Sequence, residues 1–132
     1  MEVVFLKAKK PLSKEISEEG IKPYPLIKNF SSEHYDVSMD AKGFNKLYKL
    51  LTDQAAAGAC LHKGLLKRQL EDEPRAFMSE RTKTTQLLVL DVDGLHTTNP
   101  GDLQALADKI ILQLPEYFHN VSYIVQASAS LG

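Results

Sequence analysis

Hydrophobic and polar residues alternate along this chain in several distinct ways, and each predicts a different element. An unbroken apolar run at Val3, Val4, Phe5 and Leu6 predicts a first strand over residues 2–6. Residues 7–25 lose that order. Charges of both signs, Gly20 and the prolines Pro11, Pro23 and Pro25 predict loop or edge structure there. Residues 28–36 are polar without a clear period, so their serines and His34 are expected at the surface. The pattern then becomes helical. Phe44, Leu47, Tyr48 and Leu51 recur at i, i+3, i+4 and i+7, Asp40 stands where an N-cap belongs, and Gly58 stands where a stop belongs. A helix is expected over residues 41–57, with Ala55–Ala57 continuing its apolar stripe. Residues 59–63 predict a short strand, and residues 63–83 a charged surface loop.

The later part of the chain predicts strand, helix, strand. Leu87, Leu88, Val89 and Leu90 run straight into Asp91-Val92-Asp93-Gly94, which fits a strand over residues 84–91 buried on both faces. Asn99 as cap, Pro100 at the first helical position and Asp102 in the first turn open a second helix. Its stripe is Leu103, Leu106, Ile110 and Leu114, and Pro115 ends it. After a loop over 116–120, residues 121–127 form another apolar strand. Such an order is a βαβ unit with parallel strands. The expected fold class is therefore α/β (α+β): a mixed sheet flanked by helices and containing one βαβ unit. The carboxyl ends of parallel strands share one edge, where ligands bind. Asp91, Asp93, Ser128 and Ser130 are expected on that rim.

Composition narrows the partners. Of 132 residues, 43% are hydrophobic and 25% charged, which suits one globular domain with a real core. A net charge of −1 gives no overall basic field to attract nucleic acid, so any such binding must be local. The single cysteine, Cys60, excludes an internal disulfide framework and a cysteine-based zinc site, and it reads as a small buried residue. No apolar run is long enough to span a membrane, and the start lacks a signal-peptide pattern, so a cytoplasmic protein is expected. Gly132 follows directly on an apolar strand and a small-residue turn, which predicts a single but incomplete domain.

The acids carry the chemistry. A strand has period two, so Asp91 and Asp93 point to one side, where two carboxylates repel unless a cation lies between them. Mg²⁺ takes one or two carboxylates together with substrate phosphates, and Gly94 allows a sharp turn close to a ligand. Asp-x-Asp-Gly is also an ordinary turn sequence. Lys63 and Arg75, on the loop leading to these acids, are candidates to reach a phosphate.

On these residues the chain resembles the archaeo-eukaryotic primase superfamily, in its primase-polymerase branch from phages and plasmids. Residues 88–94 resemble that family's apolar strand ending in Asp-x-Asp, and 128–132 its short Ser-rich motif. Leu61-His62-Lys63-Gly64 and Glu73-Pro74-Arg75-Ala76 resemble the lead-in of phage members. The resemblance implies the N-terminal portion of a primase-polymerase catalytic domain, a nucleotidyltransferase that copies a single-stranded DNA template from nucleoside triphosphates. It implies Asp91 and Asp93 as ligands of Mg²⁺ or Mn²⁺, with Ser128 and Ser130 on the triphosphate. Lys63 and Arg75 become phosphate or template contacts, and a helicase or other replicative protein a partner in the host cytoplasm. Two departures stand out: the family's third acidic motif is absent, so by that comparison this piece alone is expected to be a poor or inactive polymerase, and Leu131 stands where some relatives have histidine. The same Asp-x-Asp-Gly is also similar to the first motif of haloacid-dehalogenase-type phosphatases. There Asp91 would be the nucleophile, Asp93 the general acid/base and Ser128 a phosphate ligand. That motif normally opens its domain, whereas about ninety residues precede it here. A non-catalytic module of DNA replication is the third possibility.

Overall fold

The computed structural model describes residues 1–12, 15–17, 19–22, 26–93 and 101–127. The chain divides into two compact units, Met1–Leu90 and Asp91–Gly132.

The first unit is built on β1 (Glu2–Lys7), whose apolar run is buried on both faces: Val3, Val4, Phe5 and Leu6 are all at most 2% exposed. A strand this uniformly apolar belongs in the middle of a sheet. It pairs antiparallel with β4 (Ser31–Asp36) on one side and with the short β5 (Cys60–Leu61) on the other. A separate hairpin joins β2 (Glu15–Ser17) to β3 (Gly20–Lys22), with Ile16 opposite Ile21. All described strand pairs are antiparallel, so the fold is a small mixed α+β arrangement.

Register sorts the two faces of the sheet. Val4 and Leu6 lie opposite His34 and Ser32, and on that face they pack with Leu65, Leu66 and Leu70. Phe5 and Tyr35 share the other face in an edge-to-face pair, ring centroids 6.0 Å apart. That face meets α1 (Ala41–Ala56) through Gln54, whose Nε2 donates to Tyr35 and to Glu33. The Asp40 carboxylate caps α1 by accepting from the Gly43 amide at 2.8 Å, and Gly58, at φ +77°, turns the chain out of it. Gly43 has a second duty: a Cβ there would lie 1.7 Å from the Ser38 carbonyl oxygen, so only glycine lets the helix sit this close.

Residues 62–83 are more ordered than a solvated loop. Phe30 and Glu73 exchange two backbone hydrogen bonds, and Ser32 N–H donates to the Leu70 carbonyl, so residues 70–73 cover the outer edge of β4. Leu66 pairs with Ser79 in a second short antiparallel bridge.

In the second unit, α2 (Leu103–Gln113) buries Leu106 and Ala107 and runs into a single 3₁₀ turn, Glu116–Phe118, after Pro115. Asp102 is its cap, accepting from the Ala105 amide at 3.0 Å. Asn99 and Pro100, expected in that role, lie outside the described residues.

Several expectations are corrected. Residues 31–36 form a strand despite their polar sequence, because Ser32 is 2% exposed with its hydroxyl fully engaged. The buried face of α1 is Gly43, Leu47 and Gln54. Tyr48 is 60% exposed and Ala55–Ala57 are exposed, so the stripe is rotated from the one the apolar residues alone indicate. The strands expected at 84–91 and 121–127 are not formed: both stretches are irregular, and Leu88, Leu90 and Val121 are exposed. A strand needs a neighbour's ladder to satisfy its backbone, and no described residue forms a β-bridge with either stretch. No parallel pair, and hence no βαβ unit, is found among the described residues.

Candidate functional site

Asp91 and Asp93 stand at the head of the second unit, in irregular backbone and exposed to solvent. Their spacing follows from the Leu87–Leu90 run before them, which the structure leaves partly in water rather than sealing into a sheet. Two exposed carboxylates are hard oxygen donors, and they fit a divalent cation that fills its remaining positions with water and phosphate oxygens. Among the described residues no third His, Cys, Asp or Glu completes a cluster with them. Ser128, Ser130, Leu131 and Gly94 lie outside the described residues.

Lys63 and Arg75 belong to the first unit, and both are exposed. Lys63 lies two residues past the end of β5. Arg75 lies in the loop that covers β4, with its guanidinium 5.5 Å from the centre of the Phe30 ring. Arg75 also acts on the two titratable groups of the β5 segment. His62 is pushed below the usual imidazole range, first by burial and then by the Arg75 charge. Burial raises the Cys60 thiol, with Arg75 pulling the other way. The result is a local positive field around Arg75 with a neutral imidazole beside it.

Two polar constellations were not legible in the sequence. On one face of the sheet, Ser32 Oγ and His34 Nε2 share a hydrogen bond of 2.8 Å, and His34 Nδ1 lies 2.9 Å from Glu2 Oε1. The order Ser–His–Glu has the connectivity of a nucleophilic triad. Its serine, however, is buried and already accepts the Leu70 amide at 2.8 Å, so a substrate has no route to Oγ. The chain ties loop to sheet. The signal for it was Ser-x-His at strand spacing, hidden by the lack of an apolar pattern around it.

On the other face Glu33 collects three donors. Lys7 Nζ reaches Oε1 at 2.6 Å, and Tyr35 Oη and Gln54 Nε2 donate to Oε2 at 2.5 Å and 2.8 Å. Lys7 foremost, then Tyr35, brings the Glu33 carboxyl down to about 2, and Glu33 in turn raises the Tyr35 phenol. Gln54 Oε1 is buried without a hydrogen-bond partner among the described residues. The cluster is fully used in joining β1, β4 and α1.

The surface of the described residues carries shallow hollows. One of about 240 Å³ is lined by Lys7, Ala8, Lys9, Ser31 and Asp72. Another, of about 750 Å³, lies along the start of α1 between Asp36 and Lys49. Neither includes Lys63, Arg75, Asp91 or Asp93. No helix among the described residues is long and apolar enough to cross a membrane. Comparison with protein-family models, with characterised proteins and with solved structures yields no match.

Proposed function

We propose that the chain is part of a metal-dependent nucleotidyltransferase of the primase-polymerase kind, which joins nucleotides on a single-stranded DNA template. One observation carries it: an apolar run at Leu87–Leu90 delivers Asp91 and Asp93, two residues apart and both exposed, immediately before a glycine. Asp and Gly together also serve ordinary turns, so the weight of the reading falls on the second carboxylate. A pair of carboxylates kept at this spacing in water is suited to a cation.

Asp91 and Asp93 would hold Mg²⁺ or Mn²⁺, and the bound ion supplies charge stabilisation at the attacking and leaving oxygens of phosphoryl transfer. The two carboxylates would fix the position of that ion and offset part of its charge. Ser128 and Ser130 offer hydroxyls to the polyphosphate, and Lys63 and Arg75 offer cations to phosphate or template. A helicase or other replication protein is the proposed partner, and the host cytoplasm the proposed site of action.

The test is template-dependent extension with Mn²⁺ or Mg²⁺, single-stranded DNA and nucleoside triphosphates. Asp91→Ala and Asp93→Ala should each abolish product, because losing a metal ligand removes several kcal/mol of charge stabilisation. Product from either variant at the wild-type level removes the assignment. Phosphate release from a chromogenic ester, with an aspartyl-phosphate analogue trapped on Asp91, would replace it with phosphatase chemistry.

A further inference from the structure

Residues 75–78 close a turn: the Met78 amide donates to the Arg75 carbonyl at 3.0 Å, and Phe77, in the third position, has φ +64°. Turns that need positive φ at that position take Gly or Asn, and a bulky side chain there is an outlier. Such conformations persist where the surroundings impose them, and they collect at binding sites. Packing does not explain this one. Phe77 is 93% exposed, more than any other large apolar side chain among the described residues.

The turn is nonetheless firmly held. The Lys67 amide donates to the Met78 carbonyl at 2.8 Å and the Glu80 amide to the Leu65 carbonyl at 2.9 Å. That short ladder is rooted by Leu65 and Leu66, which pack on Val4 and Leu6 of the sheet. The ring therefore stands in water at the tip of a rigid support. Cations flank it. Arg75 opens the turn, exposed and without a carboxylate partner among the described residues, and Lys67 lies exposed across the ladder from Met78. The loop's acids are engaged elsewhere: Glu73 with Arg68, Asp72 with Lys9, and Glu80 with Thr82, while Glu71 adds to the field on Arg68.

We infer that the 75–78 turn is an anchor for single-stranded nucleic acid, with the Phe77 ring stacking on a base and Arg75 and Lys67 holding the adjoining phosphates. An exposed π-face on a loop that also carries exposed cations is the chemistry such strands require, and a duplex hides its bases from it. The flanking charge favours a polyanion over an apolar protein surface. The chain's net charge of −1 confines the attraction to this patch. Naming the strand as template rests on the function proposed above; the stacking itself does not.

The experiment is anisotropy of a labelled oligothymidine of about 12 nucleotides, titrated with the full chain in the absence of metal and triphosphate. Phe77→Gly should weaken binding about tenfold, while its melting temperature stays level or rises, since glycine adopts positive φ freely. Phe77→Trp keeps the ring and should bind as well as wild type or better. Arg75→Gln should weaken binding and flatten its dependence on salt. Oligothymidine affinity unchanged in Phe77→Gly overturns the inference. So does a wild-type chain that does not bind, which would point to an apolar protein contact, or one that prefers the duplex. Because no metal is present, failure here leaves the assignment of Asp91 and Asp93 untouched, and failure of the extension assay leaves this binding untouched.

Discussion

Glu33 is a carboxylate surrounded by donors, and its behaviour with pH follows from them. Its ordinary value of 4.5 falls to about 2 in the folded chain. A depressed carboxyl stabilises the fold above the unfolded value, and that contribution is lost as pH falls from about 4.5 to about 2. Thermal melts should show this acid loss, and Glu33→Gln should flatten part of it, since Glu73 and Glu80 are lowered too. Tyr35 moves in the opposite sense: its raised phenol stabilises the fold below its ordinary 10.0 and loses effect above it. Ser32 makes a sharper case. Ser32→Ala leaves the buried Leu70 amide without its side-chain acceptor and should cost about 1–3 kcal/mol in urea unfolding. Gly43→Ala reverses a familiar preference. Alanine normally gains about 1 kcal/mol over glycine inside a helix. Here its Cβ meets the Ser38 carbonyl, and the variant should lose about 1–3 kcal/mol instead.

Elements with strong one-dimensional signals were legible in the sequence. The run Val3–Leu6 marked β1, Asp40 and Gly58 marked the ends of α1, and Pro115 marked the end of α2. What the sequence hid is polar or long-range. β4 carries Ser, Glu, His and Tyr, and is a strand because β1 and residues 70–73 satisfy its two edges. The face of α1 turned on Gly43 and Gln54, neither of which contributes to an apolar stripe. Leu65, Leu66 and Leu70 read as part of a charged loop but supply one wall of the core. The error at 84–91 is of the opposite kind. Apolar residues there signalled a strand, yet β structure requires a neighbour as well as a suitable sequence. For the candidate site, the acids were legible as a motif, whereas Phe77 was not, because its importance lies in φ and exposure rather than in residue type.

At the scale of the molecule, protection should be uneven. Among the described residues, ten buried apolar ones, Val3 to Leu70, lie in Met1–Leu90, whereas Leu106 and Ala107 are the only buried apolar ones in the second unit. Opening free energies follow such burial. Hydrogen exchange on the whole chain should find the β1 amides slowest, α2 faster, and residues 87–93 and 121–127 fastest. Protection of 87–93 equal to that of β1 would show a ladder that the structure lacks. Cys60 offers an independent view of the same process. It is the sole cysteine, it sits opposite Leu6 in the sheet, and burial holds its thiol in the unreactive protonated form. Alkylation at that one half-buried sulfur should therefore quicken when β5 leaves the sheet, a built-in probe of the chain's own breathing without any added label.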